Sequence, residues 1–531
     1  MTKPAALSRS TAADIRHAIA ERMATPVSVW SLNGRDIGFQ CSFDEGLEVG
    51  GFAGVRTPAG ELLLVQVLEL TINERESMRV AVDTDFFGEA AAAALESANV
   101  NLMMRYVVGT ARVLSAVDRK ALVPPSGTGF REGALERIDQ RLVATLLQAG
   151  LGKSVGLPIG TVHGTGVDAE LKAAGFSRHT FMVGQSGSGK TYSLGAILER
   201  LHARTTLPMI IIDPNSDHVH LGQLRDRDAI ARRGQPPISR KGYAELKTAM
   251  KAAGEVAVAR AGAADYPLAI HLSDLAVHEQ ALTLDLDPLR DSAEYAAFFE
   301  AVESLAALPA YGFDEVIDRL EQQGTEAAQQ LLQRIRNLRV AEWEVWARPD
   351  SESLVHRLLG VRSAVLDTGS LEDARARSVV ALAVLGFLRR RAARTPILVV
   401  IDEAHNVLSP DFTSALEREI VDYGVWVAGE GRKYGVHLVV STQRPQKIHR
   451  NVISQCDNLV LMRMNSVLDI EELAATFSHV PRAMIAEARS FVQGEMVVAG
   501  PIATPPMRVD VGERWCPEGG ADLPTTWATR T

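Results

Sequence analysis

Residues Gly184, Gln185, Ser186, Gly187, Ser188, Gly189, Lys190 and Thr191 form a complete GxxxxGK[ST] run between an apolar stretch, Phe181, Met182 and Val183, and the helical stretch TYSLGAILERL. That spacing implies phosphate chemistry. Glycines let successive backbone N–H groups wrap phosphate oxygens, and the following helix turns its positive end toward them. Lys190 reaches the β and γ oxygens, and the Thr191 hydroxyl is placed to hold Mg²⁺. Further along, ILVVIDEAHN (397–406) is a buried-type apolar strand ending in Asp402 and Glu403. After a phosphate loop this reads as a Walker B strand. Asp402 serves the metal's water shell, and Glu403 polarises an attacking water, which points to hydrolysis rather than passive nucleotide binding.

A third apolar strand, VHLVVST, runs into Gln443, Arg444 and Pro445. Polar residues at the carboxyl end of a parallel strand emerge where ligands bind, so Gln443 is placed to sense a γ-phosphate. Between the last two strands lies GEGRKYG, a Gly-flanked turn presenting Arg432 and Lys433. Read alone, such a pair is a solvated turn. In an oligomeric ATPase an arginine on a short loop can instead reach a neighbour's γ-phosphate and stabilise the transition state. The stretch 432–450 adds Arg444, Lys447, Arg450, His437 and His449 and holds no acidic residue, making it the best local candidate for contact with DNA phosphates.

These groups need a scaffold. From about 160 to 500 apolar strands alternate with helical patterns, including MIIID ahead of PNSDH and AVLD ahead of TGS, which predicts a parallel α/β sheet. A mostly helical stretch, 241–358, interrupts it. Residues 26–120 instead show period-two alternation punctuated by NG, GG and PAG, the pattern of a small antiparallel sheet or barrel. Residues 10–24 suit a short amphipathic helix. The expected organisation is an N-terminal helical arm (1–25), a small β-barrel (26–120), a linker with a connecting helix (121–165), an ATPase core (166–240 and 359–500), an acidic helical insert (241–358) and a C-terminal tail (501–531).

Composition bounds the class. The 531 residues are 46% hydrophobic and 23% charged, as in a globular chain and unlike a disordered one. Aromatics amount to 5%, which disfavours an extended stacking surface for single strands. The three cysteines, Cys41, Cys456 and Cys516, are far apart and form neither a disulfide framework nor a zinc pattern. The N-terminus lacks the apolar stretch of a signal peptide and no apolar run approaches the length of a membrane span, so a cytoplasmic protein without its own anchor is expected. The net charge of −9 is local: residues 241–350 carry 10 Lys+Arg against 19 Asp+Glu, and the rest of the chain carries 46 of each. The insert is therefore expected to face outward or toward a protein partner, and the basic run to serve subunit interfaces or a channel.

Taken together, LPIGTVHGTGVDAEL with Arg178 and His179, GQSGSGKT, IIDPNSDH, YPLAIHLSDL, AVLDTGSLEDARARSVVALAVL, VVIDEAHN and GEGRKYGVHLVVSTQRPQKIHRNVISQCDNLVLMRM resemble the HerA family of the HerA/FtsK hexameric DNA-translocating ATPases. LEVGGFAGVRTPAGELLLVQVLEL is similar to the small barrel that precedes the motor in that family, and PIATPPMRVDVGERW to its C-terminal bracing strand. The resemblance implies a RecA-like P-loop ATPase core of the additional-strand type. It further implies a homohexameric ring with ATP and Mg²⁺ between subunits and double-stranded DNA in the central channel. Lys190 and Thr191 then bind phosphate and metal, Asp402 supports Mg²⁺, Glu403 is the base and Gln443 the sensor. Arg432 is the trans-acting finger, with Arg444 as the second candidate.

Family members work with a separately encoded nuclease or defence effector, in DNA-end processing or antiphage systems. Alternative readings are a nucleotide-controlled ring scaffold that activates an effector with little translocation, and a conjugation or secretion ATPase acting at a membrane. The absence of an apolar span counts against the last.

Overall fold

The structure is a computed structural model that describes residues 27–42, 45–75, 104–119, 121–231, 238–358, 360–391 and 395–520. The arm expected over 1–25 lies outside them, as does the tail beyond 520. The chain divides into two compact units, one of residues 1–146 with 481–484, the other of 147–480 with 485–531.

The first unit is an antiparallel sheet of β1 (Ser28–Ser31), β2 (Asp36–Ser42), β3 (Phe52–Arg56), β4 (Leu62–Arg75), β5 (Met104–Asp118), β6 (Ala121–Val123) and β7 (Ala134–Glu136). The order is β1-β2-β5-β4-β3-β7, with β6 on β5. A bridge between Val29 and Gly133 brings the two edges together and curls the sheet. Turn chemistry sets the first hairpin: Asn33 Oδ1 accepts from the backbone N–H groups of Arg35 (2.9 Å) and Asp36 (2.7 Å), and Gly34 takes a left-handed conformation. Alternate residues Val29, Ile37, Phe39, Cys41, Val65 and Val67 are buried on one face. The Pro/Gly-rich stretch after 121 does not act as a linker throughout, because β6 and β7 pair into this sheet.

The second unit carries an eleven-stranded central sheet: β8 (Gly156–Val162), β9 (Asp168–Lys172), β10 (His179–Val183), β11 (Met209–Asp213), β12 (Val256–Ala259), β13 (Ser363–Asp367), β14 (Ile397–Ile401), β15 (Val436–Thr442), β16 (Cys456–Leu461), β17 (Glu495–Gly500) and β18 (Ala503–Val511). They lie in the order β12-β13-β11-β14-β15-β10-β16-β17-β18-β8-β9, parallel from β12 to β16 and antiparallel beyond. β10, β11, β13, β14 and β15 are buried along their whole length, as strands covered by helices on both faces must be, which is why apolar residues dominate them without a period-two alternation.

β15 stands between the phosphate-loop strand β10 and the Walker B strand β14, the arrangement of an additional-strand core. β13, which falls between the two motifs in sequence, pairs instead on the far side with β11 and β12. Two boundaries also move. β12 lies inside the stretch expected to be a helical insert, yet it closes one edge of the central sheet. β18, the start of the expected tail, pairs with β17 and β8 of its own chain.

The helices that follow β12 include Val277–Thr283, Ser292–Leu305, Phe313–Gln323 and Glu326–Leu338. Their first turns carry Glu279, Glu294, Asp314, Glu315 and Glu326, so part of the insert's negative charge sits at helix N-termini, where it is stabilising. Glu279 is fully buried and ties this region to the helices Ala374–Arg390 and Ala415–Glu430. Its carboxylate accepts from Tyr423 Oη at 2.5 Å and from Arg390 Nη1 at 2.6 Å.

Candidate active site

The carboxyl ends of five neighbouring parallel strands meet at one edge of the central sheet, and each delivers one polar element: the loop after β10, Asp213 of β11, Asp367 of β13, Asp402 after β14 and Gln443 after β15. The loop from Gly184 to Thr191 runs directly into the helix Lys190–Arg204, whose N-cap is Gly189. Gly189 holds φ +89°, a left-handed conformation that a side chain would strain. A cavity of about 710 Å³ opens here, lined by Gln185, Lys190, Thr191 and Gln443 among others.

Lys190 is 4% exposed, and its ammonium points across the sheet edge rather than to solvent. Nζ lies 2.8 Å from Asp402 Oδ1, 3.0 Å from Glu403 Oε1 and 3.0 Å from Ser441 Oγ. Burial opposes its charge, but the two carboxylates outweigh burial and raise its pKa. Burial likewise works against the Asp402 carboxylate. Lys190 and His218 more than offset it, holding this carboxyl well below the usual range. The site is a compact charge cluster in which removal of any member strands its partners, a loss of about 3–5 kcal/mol for a buried pair.

Asp402 Oδ1 also accepts from Ser441 Oγ at 2.7 Å and from the backbone N–H of Glu403 at 2.9 Å. Oδ2 is buried, makes no hydrogen bond among the described residues, and lies 3.5 Å from His218 Nε2. Glu403 sits in the left-handed region at φ +43°, a strained turn that aims its side chain back along the strand end. Gln443 Nε2 donates to its Oε1 at 2.7 Å. Its Oε2 is buried without a hydrogen bond among the described residues, 3.3 Å from His405 Nδ1. Lys190, Asp402, Glu403, Gln443 and the phosphate loop are thus brought to one edge.

Sequence reasoning assigned no role to His218, Ser441 or Arg463. Asp213 accepts from the backbone N–H groups of Asn215 (3.2 Å), Asp217 (3.1 Å) and His218 (2.8 Å), folding the PNSDH turn so that the His218 ring meets Asp402. The signal was a strand ending in Asp before a polar turn, visible in sequence but without a partner there. Arg463 Nη2 donates to the Gly187 carbonyl at 3.1 Å, placing a cation against the tip of the phosphate loop.

The arginines separate. Arg432 precedes β15 and pairs with Asp457 at 3.3 Å, an aspartate that Arg178, just before β10, also contacts at 3.1 Å. Both lie at the amino edge of the sheet, about 20 Å from the phosphate loop at roughly 3.3 Å per strand residue. Arg432 is therefore not part of its own chain's site. Arg444 lies at the carboxyl edge next to Gln443, exposed, and no carboxylate pairs with it among the described residues. No helix among the described residues is long and apolar enough to cross a membrane.

Residues 157–385 match the family described as "Helicase HerA, central domain". The chain is 31% identical over 123 residues to the DNA double-strand break repair helicase HerA of Sulfurisphaera tokodaii, which covers 23% of this chain and 24% of that protein. It is 29% identical over 116 residues to the HerA of Sulfolobus acidocaldarius, covering 22% and 23% respectively. The chain thus matches about a quarter of the length of these relatives. Among solved structures it is similar to VirB4 of Thermoanaerobacter pseudethanolicus at 16% identity, covering 67% of this chain and 96% of that one with a TM-score of 0.45. The bacterial conjugative coupling protein TrwB is similar at 14% identity, covering 70% and 93%, also with a TM-score of 0.45. The likeness to HerA read from the sequence is borne out over the central domain, whose match ends upstream of Asp402.

Proposed function

We propose that this chain, with its HerA-type central domain, is an ATP-driven translocase for double-stranded DNA that works as a homohexameric ring with a separately encoded nuclease or effector. The observation that carries the reading is the meeting of the phosphate loop, Asp402, Glu403 and Gln443 at one sheet edge. A nucleotide-binding switch needs the first two; Glu403 and Gln443 are what hydrolysis adds.

The donor set fits Mg²⁺. Thr191 offers a hydroxyl at the loop and Asp402 offers Oδ2, which makes no hydrogen bond among the described residues and has His218 Nε2 at 3.5 Å; both are hard oxygen ligands of the kind this ion takes, directly or through water. Held by Thr191 and Asp402, the ion would supply positive charge to offset that of the phosphates. The chain's own residues do the rest. Lys190 places a fixed positive charge against the phosphates. Glu403 presents Oε2 to a water and takes its proton, while Gln443, bonded to the other oxygen, fixes the carboxylate's direction. His218 and Ser441 hold Asp402 in place.

Arg432 and Arg178 share Asp457 on the opposite edge, a geometry that supports Arg432 as a group acting on a neighbour's nucleotide rather than its own. The exposed Arg444, Lys447 and Arg450 supply the cations for DNA phosphates. Displacement of a third strand from a DNA triplex tests the proposal: ATP-dependent displacement is expected, and none with Glu403→Gln.

A further inference from the structure

The cavity beside the phosphate loop is longer than phosphates require, and its far wall comes from the other end of the chain. Gly512, Glu513, Glu518, Gly519 and Gly520 line it opposite Thr191 and Tyr192. This strap follows β18 and is pinned along its length to the phosphate-loop helix. The backbone N–H of Arg514 donates to Tyr192 Oη at 2.7 Å. Those of Trp515 and Cys516 donate to the two oxygens of the fully buried Glu199, at 2.7 Å and 2.8 Å. Arg200 ion-pairs with Glu199 and lays its guanidinium 3.9 Å over the Trp515 ring. Trp515 and Cys516 then enter an apolar cluster with Ile230, Leu246 and Met250.

The fit leaves no slack. Arg514 is 1% exposed and lies on Gly195 of the same helix, where a Cβ would come within 2.3 Å of its Cζ. At the far end the N–H of Gly519 donates to the Asp217 carbonyl at 3.0 Å. The strap is thus a rigid extension of the phosphate-binding helix, held at a fixed distance from Lys190. Two strap carboxylates line the cavity, Glu513 and Glu518; Glu518 is the more open, 43% exposed, with a long ion pair of 3.7 Å to Arg514 Nη1 that leaves acceptor capacity toward the cavity.

We propose that the strap Gly512–Gly520 is the nucleoside-binding wall of the site and that Glu518 accepts hydrogen bonds from the sugar hydroxyls. This rests on the nucleotide-binding reading above and adds the part that distinguishes a nucleotide from its phosphates. A loop fixed beforehand to the helix that binds the phosphates spends no ordering entropy when the nucleoside docks. A carboxylate can only accept, so it selects a ligand group that donates, as ribose hydroxyls do.

The test is equilibrium binding of ATP and of inorganic tripolyphosphate to the full chain as wild type, Glu518→Ala, Glu518→Gln and Lys190→Ala, with folding of each checked by thermal melting. Wild type should bind ATP more tightly than tripolyphosphate. Glu518→Ala should lose about tenfold in ATP affinity, the worth of one hydrogen bond to a charged group, with tripolyphosphate unchanged. Glu518→Gln, which keeps an acceptor oxygen, should lose less. Unchanged ATP affinity in Glu518→Ala, or equal loss for both ligands, overturns the assignment while leaving the phosphate site intact. If wild type binds neither ligand, or Lys190→Ala binds both as wild type does, the nucleotide reading itself fails and the assignment with it.

Discussion

Gln443 Nε2 donates to Glu403 Oε1 at 2.7 Å, joining the first residue after β15 to the second residue after β14 across two adjacent parallel strands. The same glutamate oxygen lies 3.0 Å from Lys190 Nζ. Gln443, Glu403 and Lys190 are therefore one connected unit, and a change at Gln443 is felt at Glu403.

The first prediction follows from that bond. Gln443→Ala leaves the phosphate loop intact and frees the Glu403 carboxylate to rotate. ATP turnover should fall by about 10²-fold, in the range measured when one preorganised polar group is removed, with KM changed little. Steady-state kinetics check it; a rise in KM at unchanged kcat would place Gln443 in ground-state binding instead.

A second prediction concerns acidity. Burial, with Asp213 close by, pushes the Asp217 carboxyl up to about 6. The folded state thus holds this proton more tightly than the unfolded chain. Ionised Asp217 destabilises the fold, with no cost below about pH 4, a growing cost through the interval up to 6 and the full cost above it. Asp217→Asn should melt with wild type near pH 4 and about a degree or two above it at pH 8, judged by thermal scans across that range. A difference independent of pH would contradict the electrostatic cause.

The third prediction addresses Arg432, which pairs with Asp457 far from its own phosphate loop. If it acts on a neighbour, Arg432→Ala and Lys190→Ala rings should each be inactive, yet a mixture should recover activity. At random mixing about one interface in four combines an intact loop with an intact arginine. Turnover assays on mixed preparations read this directly, and the same experiment with Arg444→Ala compares the second candidate.

Much of the site was legible because its residues sit at the ends of uniformly apolar strands. Asp402 and Gln443 are one step beyond a buried run and Glu403 two, and a parallel sheet leaves such positions nowhere to go but the shared carboxyl edge. What the sequence did not reveal depends on strand order and on contacts between distant segments. Nothing in the chain order places β15 rather than β13 between β10 and β14, and β12 is too short to stand out within a helical stretch. His218 meets Asp402 only because Asp213 gathers three backbone N–H groups of its turn. The strap after β18 reaches the phosphate-loop helix through backbone N–H groups, which carry no residue signature. Arg432 is the converse case: its residue type and Gly-flanked turn drew attention, and the fold sends it to the opposite edge.

The central claim, a DNA-driven hydrolytic motor, is tested most directly by ATP turnover of the purified chain with and without long double-stranded DNA, in wild type and Glu403→Gln. DNA should raise wild-type turnover several-fold. Glu403→Gln should still bind ATP yet turn over at least about 10²-fold more slowly under either condition, as expected when a positioned general base is lost. Turnover that ignores DNA, or that persists in Glu403→Gln, would contradict the account.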